Sequence, residues 1–172
     1  MTGGITSSAN DPQAQDWGGL SWSGWQDFDE AHRGKVIPVT PGIYRFRAQR
    51  EPGLLYIGES GGRRGRRARL GRLARGMKRH PADFYLKWRA AGLAERPHRG
   101  HYAAPYMSQC QDAGCRIEVS WARQGHPDQA GRRAVEAKLI QLHREVMGFD
   151  PPIQHGGEGV ATYLEMVRAN RA

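Results

Sequence analysis

Gly42-Ile43-Tyr44 is followed, after eleven residues, by Tyr56-Ile57-Gly58, and the chain then runs straight into Glu59-Ser60-Gly61-Gly62-Arg63-Arg64-Gly65-Arg66-Arg67-Ala68-Arg69-Leu70. Residues 42–47 (GIYRFR) and 54–58 (LLYIG) read as two short strands. Between them Glu51-Pro52-Gly53 is a turn signal, with proline fixing φ and glycine supplying positive φ. The pair is therefore a β-hairpin. Side chains alternate along a strand, so Tyr44 and Phe46 share one face and Ile43 takes the other. Tyr56 and Ile57 split in the same way on the partner strand. Two tyrosines thus stand side by side while isoleucines anchor the opposite face.

Working outward, 172 residues make one domain, long enough to bury a proper core. No run of eighteen apolar residues occurs, and the start lacks a charged-then-apolar leader, which predicts no membrane span and a cytoplasmic location. Cys110 and Cys115 do not make a disulfide framework. With His98 and His101 nearby, their spacing matches no standard zinc motif. The net charge is +9, and its placement matters more than its size. Residues 61–100 hold thirteen Lys+Arg against Asp83 and Glu95, a local balance of +11, so the rest of the chain carries −2. A basic block on a near-neutral protein is the electrostatic footprint of a polyphosphate partner.

Residues 1–16 are small, polar and acidic without periodicity, which predicts a disordered tail. Residues 17–172 then form the single domain, entered through an aromatic patch of Trp17, Leu20, Trp22, Trp25 and Phe28. Aromatics stack on bases, but a patch this close to the start of a small domain packs the core more readily. Residues 36–41 are an extended lead-in, since each proline disfavours helix in the residue before it. Residues 66–77 read as a helix with Leu70, Leu73 and Met77 on one stripe. Arg69 borders that stripe, Arg66 falls on its apolar side in the first turn, and Arg67, Arg72 and Arg75 point elsewhere. Helices follow over 82–91 and 103–113, separated by a basic loop holding His98, Arg99 and His101. Residues 115–121 alternate as a third strand. The clearest helix spans 128–147, with Val135, Leu139, Leu142 and Val146 inward and Glu136, Ile140, His143 and Met147 on the adjoining stripe. Gly148 and Pro151-Pro152 end it. A loop of Gln154-His155-Gly156-Gly157 and a terminal helix over 159–172 complete an α+β chain.

Hydrolysis of a phosphodiester needs a base for water, a cation at the phosphate, stabilisation of developing charge and grip on flanking phosphates. Glu136, a carboxylate flanking a wide apolar face, can hold one Mg²⁺ while water and phosphate supply the other ligands. Arg69 is an always-charged fork for phosphate oxygens. Tyr44 or Tyr56 can orient the attacking water, or act as base if metal and arginine lower the phenol pKa. Arg63, Arg64, Arg66, Arg67, Arg72, Arg75 and Lys78 supply backbone affinity without sequence information.

Both triplets, at hairpin spacing and leading into a basic helix, resemble the GIY-YIG nuclease family letter for letter. The resemblance spans roughly residues 38–157. It implies a small three-stranded antiparallel sheet flanked by helices and a site made of both motif tyrosines, a helical arginine and a metal-binding glutamate. Carried over, these are Tyr44, Tyr56, Arg69 (with Arg66 in reserve) and Glu136, with Mg²⁺ as cofactor, Mn²⁺ as its substitute and DNA as partner. Many members carry an asparagine after the metal-binding helix, where this chain offers Gln154 and His155. Some restriction-type members have a lysine after YIG, where this chain has Glu59. His101 and His155 are the candidate stand-ins for activating water. The compact length favours a restriction or mobile-element nuclease, and a restriction role predicts a homodimer, since cutting both strands takes two sites unless they are cut in turn. The alternatives are a nucleic-acid-binding module that kept the fold and lost catalysis, and an interaction protein whose basic helix binds an acidic partner.

Overall fold

A computed structural model describes residues 10–62, 65–79, 103–126 and 128–171, with the Arg79 side chain left aside. The helix read over 82–91, the loop with His98, Arg99 and His101, and Arg63 and Arg64 lie outside the described residues. The fold is α+β, built on one antiparallel sheet. Its strands are β1 (Gln26–Asp27), β2 (Gly42–Ala48), β3 (Tyr56–Ser60) and β4 (Ile117–Trp121), in the order β1-β4-β2-β3. The sheet has four strands where three were expected. The extra strand, β1, is a two-residue stretch paired with Val119 and Glu118, too short to leave an alternation in the sequence. Its Asp27 then caps α1 (Phe28–Arg33), accepting from the Glu30 N–H at 3.1 Å.

The hairpin register sets Tyr44 opposite Gly58 and Phe46 opposite Tyr56, while β4 sets Trp121 opposite Tyr44 and Val119 opposite Phe46. Directly opposed residues share a face. Tyr44, Phe46, Tyr56, Val119 and Trp121 therefore form one apolar surface, packed with Phe28 of α1, Leu70 and Leu73 of α2 (Gly65–Arg79), Met107 and Cys110 of α3 (Ala104–Asp112), and Val160 and Val167 of α5 (Val160–Arg171). The other surface carries Ile43, Arg45, Ile57 and Glu59 by the same alternation. There Ile43 and Ile57 pack with Trp17, Trp22 and Leu139 of α4 (Gln129–Met147). Asp128 caps α4 through the Gly131 N–H at 2.9 Å, and Gly148 ends it with φ of 81°. No helix among the described residues is long and apolar enough to cross a membrane.

The expected tail is overturned from residue 10 onward. Arg45 is wholly buried, and its guanidinium donates to the carbonyls of Pro12, Gln13 and Ala14. It also lies 4.1 Å from the Trp22 ring centroid and 4.7 Å from that of Trp25. The tryptophan-rich segment thus wraps a buried arginine, whose pKa burial pushes down to about 9. Residues 12–14 are docked by their backbone carbonyls on Arg45 and by the Gln13 side chain, which donates to the carbonyls of Glu51 and Gly53.

Candidate functional site

The two layers meet at the C-terminal end of β3. There a cleft of about 820 Å³ opens between the first turns of α2 and α4, lined by Glu59, Arg69, Arg72, Arg132 and Arg133 among others. Both helices point their N-terminal ends at it, and this end carries the positive pole of the helix dipole.

The tyrosine rings stand with centroids 6.2 Å apart at 47°. Arg69, from the first half of α2, donates a hydrogen bond to the Tyr44 hydroxyl. Burial disfavours its charge, but Tyr44, Tyr56 and Glu59 together outweigh that and raise its pKa above the ordinary arginine value. Glu136, half-buried on α4, is pushed up to about 7, first by burial and then by the Glu59 carboxylate, with Arg69 and Arg133 opposing. Tyr44, Tyr56, Arg69 and Glu136 are therefore brought into one electrostatically connected group. The tyrosines are the buried end of it, with Tyr44 at 0% and Tyr56 at 3% exposure. Tyr44 is so enclosed that it acts on Arg69 and not on solvent.

Glu136 offers hard oxygen to a cation. Among the described residues no three His, Cys, Asp or Glu side chains converge. A cation there would take one carboxylate from Glu136 and the rest of its shell from water or a bound phosphate, a donor set that Mg²⁺ accepts.

Other expected residues fall elsewhere. Arg66 is a correction: it is 2% exposed and spends its guanidinium on the Ala122, Ile43 and Thr40 carbonyls and the Thr40 hydroxyl, so it is structural and not a phosphate contact. A Cβ at Gly42 would stand 2.9 Å from that guanidinium, which accounts for the first motif glycine. Arg67 is likewise engaged, at 2.8 Å to the Ile37 carbonyl and 2.6 Å to that of Lys35. Arg72, Arg75 and Lys78 are exposed along α2. Gln154 is buried, and its Oε1 accepts from the Ile57 N–H at 2.9 Å, closing the outer edge of β3. His155 turns away to Asp150 at 3.0 Å, and neither lines the cleft. His101 lies outside the described residues.

The residues missed were Glu59 as a neighbour of Glu136, and Arg132 and Arg133. Arg132 sits one turn before Glu136 on the same side of the helix, and an arginine continuing an inward stripe was the available signal. No protein-family model, curated protein or solved structure matches this chain.

Proposed function

We propose that this chain is a divalent-metal-dependent DNA endonuclease of GIY-YIG type. The observation that carries the reading is the electrostatic grouping of Tyr44, Tyr56 and Glu136 around Arg69, which itself lines a cleft with further arginines on both walls. Four separate elements supply those residues, and strands and helices that only pack have no need to aim an arginine and a half-buried carboxylate at one point.

In this reading the scissile phosphate sits in the cleft against Arg69, whose planar fork stabilises charge on the phosphate oxygens. Tyr44 fixes the guanidinium through its hydroxyl. Glu136 would hold the Mg²⁺, which supplies Lewis-acid polarisation of the phosphate and a more acidic water. Tyr56, with the slight exposure it has, is the tyrosine placed nearer the solvent side. Arg72, Arg75 and Lys78 grip phosphates along α2, and Arg133 does so from α4.

The burial of both tyrosines favours a second reading, a binding module with the same grip and no hydrolysis, because a phenol closed from solvent does not activate water. Supercoiled-plasmid cleavage with Mg²⁺ or Mn²⁺, beside EDTA and Glu136→Ala, separates the two. Cutting that disappears in both controls is the result expected of the nuclease. Salt-sensitive binding without cutting under either metal gives the binding module instead, and cutting that persists in Glu136→Ala removes Glu136 from the site.

A further inference from the structure

Glu136 lies between two bonds that pin α4 to β3 and its lead-in. One turn before it, Arg132 Nε donates to Glu59 Oε2 at 2.9 Å and Nη1 to the His126 carbonyl at 2.6 Å. About two turns after it, His143 Nε2 accepts from the Leu54 N–H at 2.9 Å. The second pin is fully buried and satisfies a backbone N–H inside the core. The first is an ion pair at the wall of the cleft, with the Arg132 side chain 2% exposed and that of Glu59 17%. A buried ion pair is weak evidence for stability, because desolvation offsets most of its attraction. Something other than stability accounts better for one at this place.

We infer that Arg132 and Glu59 are a positioning pair, fixing the gap between the end of β3 and the first turns of α4 and so setting where the Glu136 carboxylate stands relative to Arg69. The inference rests on the nuclease reading. Residues four apart share a helix face, so a shift of α4 at Arg132 is carried to Glu136. At the other end of the bond, Glu59 lies in β3 itself, three residues after Tyr56. The guanidinium also has a seat shaped for it: a Cβ at Gly61 would overlap Nη2. Gly61 needs no special φ and is exposed, so that close approach is what its missing side chain serves.

Three variants test the pair. Gly61→Ala keeps both charges but drives the guanidinium from its seat. Glu59→Gln keeps an acceptor for Arg132 Nε. Glu59→Leu with Arg132→Met replaces the ion pair by apolar side chains, an exchange buried pairs tolerate in stability. Melting temperature, kcat and KM on plasmid DNA, and Mn²⁺ affinity by calorimetry are compared with wild type. Gly61→Ala and the double variant are expected to lose roughly 10- to 100-fold in kcat or Mn²⁺ affinity, with melting temperature and KM held, while Glu59→Gln keeps most of both. A double variant that cuts like wild type makes the pair merely structural. Glu59→Gln falling as far as the double variant means that Glu59 acts through its own charge, which also overturns positioning. Gly61→Ala, in an exposed loop, decides the matter should the double variant fail to fold. A wild type that does not cut sinks the nuclease reading, and Mn²⁺ affinity then decides the positioning role, with equal affinities overturning it. A wild type that binds no Mn²⁺ overturns both.

Discussion

Tyr44 fills the space that a side chain on its cross-strand partner Gly58 would need: a Cβ there would stand 2.6 Å from both the Tyr44 Cζ and its hydroxyl oxygen. The second motif glycine is thus a seat for the first motif tyrosine, and through its hydroxyl for Arg69. Gly58→Ala must move a ring that has nowhere to go. It is expected to cost about 1–3 kcal/mol, as overpacking of a filled core does, and to displace Arg69. Urea unfolding checks the first part and cleavage or DNA affinity the second. A variant with wild-type stability would mean that the sheet opens here more easily than its packing implies.

Arg45 makes a different kind of claim on stability. Replacing it by Met leaves the Pro12 carbonyl without its donor, takes one of two donors from the carbonyls of Gln13 and Ala14, and removes the cation from between Trp22 and Trp25. A loss on the order of 3 kcal/mol follows from one orphaned buried acceptor and the lost cation–π contacts. Limited proteolysis of Arg45→Met is expected to cut between residues 10 and 20 first. If that segment stays protected, the tryptophans hold it without the arginine.

The arginines of α2 divide by role. Alanine at Arg72, Arg75 and Lys78 together is expected to leave the melting temperature alone and to flatten the log–log salt dependence of DNA binding by roughly 2–3 units, near 0.9 per phosphate contact. Arg66→Ala is expected to do the reverse, destabilising by roughly 1–3 kcal/mol for each buried carbonyl left unpaired while its salt slope stays that of wild type. Equal salt slopes for the triple variant and wild type would put the phosphate grip elsewhere.

That division was only half legible in the sequence. The alternation of GIYRFR placed Tyr44 and Phe46 on one face and Ile43 on the other, as found, and the stripe Leu70–Leu73 fixed the inner side of α2. Helical register put Arg66 and Arg69 on nearly the same side and had no means to tell that Arg66 is met by the Ala122 carbonyl while Arg69 reaches the cleft. Arg45 broke the apolar pattern of its strand without saying what it bonded, because its acceptors are backbone atoms more than thirty residues away. Glu59 and Arg132 are 73 residues apart, and pairing at that distance leaves no local trace. Local pattern gave the faces, whereas the partners of buried charges came only with tertiary structure.

Glu136 ties protonation to both stability and metal. Its ordinary pKa of 4.5 is raised to about 7 in the folded protein. Between those values the folded state holds a proton that the unfolded chain has released, so the contribution of this group to stability is present below pH 4.5 and is lost as pH rises toward 7. Glu136→Gln carries no such charge. Its stability relative to wild type is expected to grow with pH and to reach on the order of 1–2 kcal/mol at pH 8, after discounting for partial solvent screening. Mg²⁺ added at pH 8 is expected to raise the melting temperature of wild type and not that of Glu136→Gln, because a ligand bound only by the folded state stabilises it. At pH 5 the metal must displace a proton, so the same addition is expected to have little effect on wild type. Thermal melts of both proteins at pH 5 and pH 8, with and without Mg²⁺, check all of this in one series. Parallel pH curves for the two proteins would mean that Glu136 titrates as an ordinary surface carboxylate, and a Mg²⁺ shift shared by both would move the metal to another group.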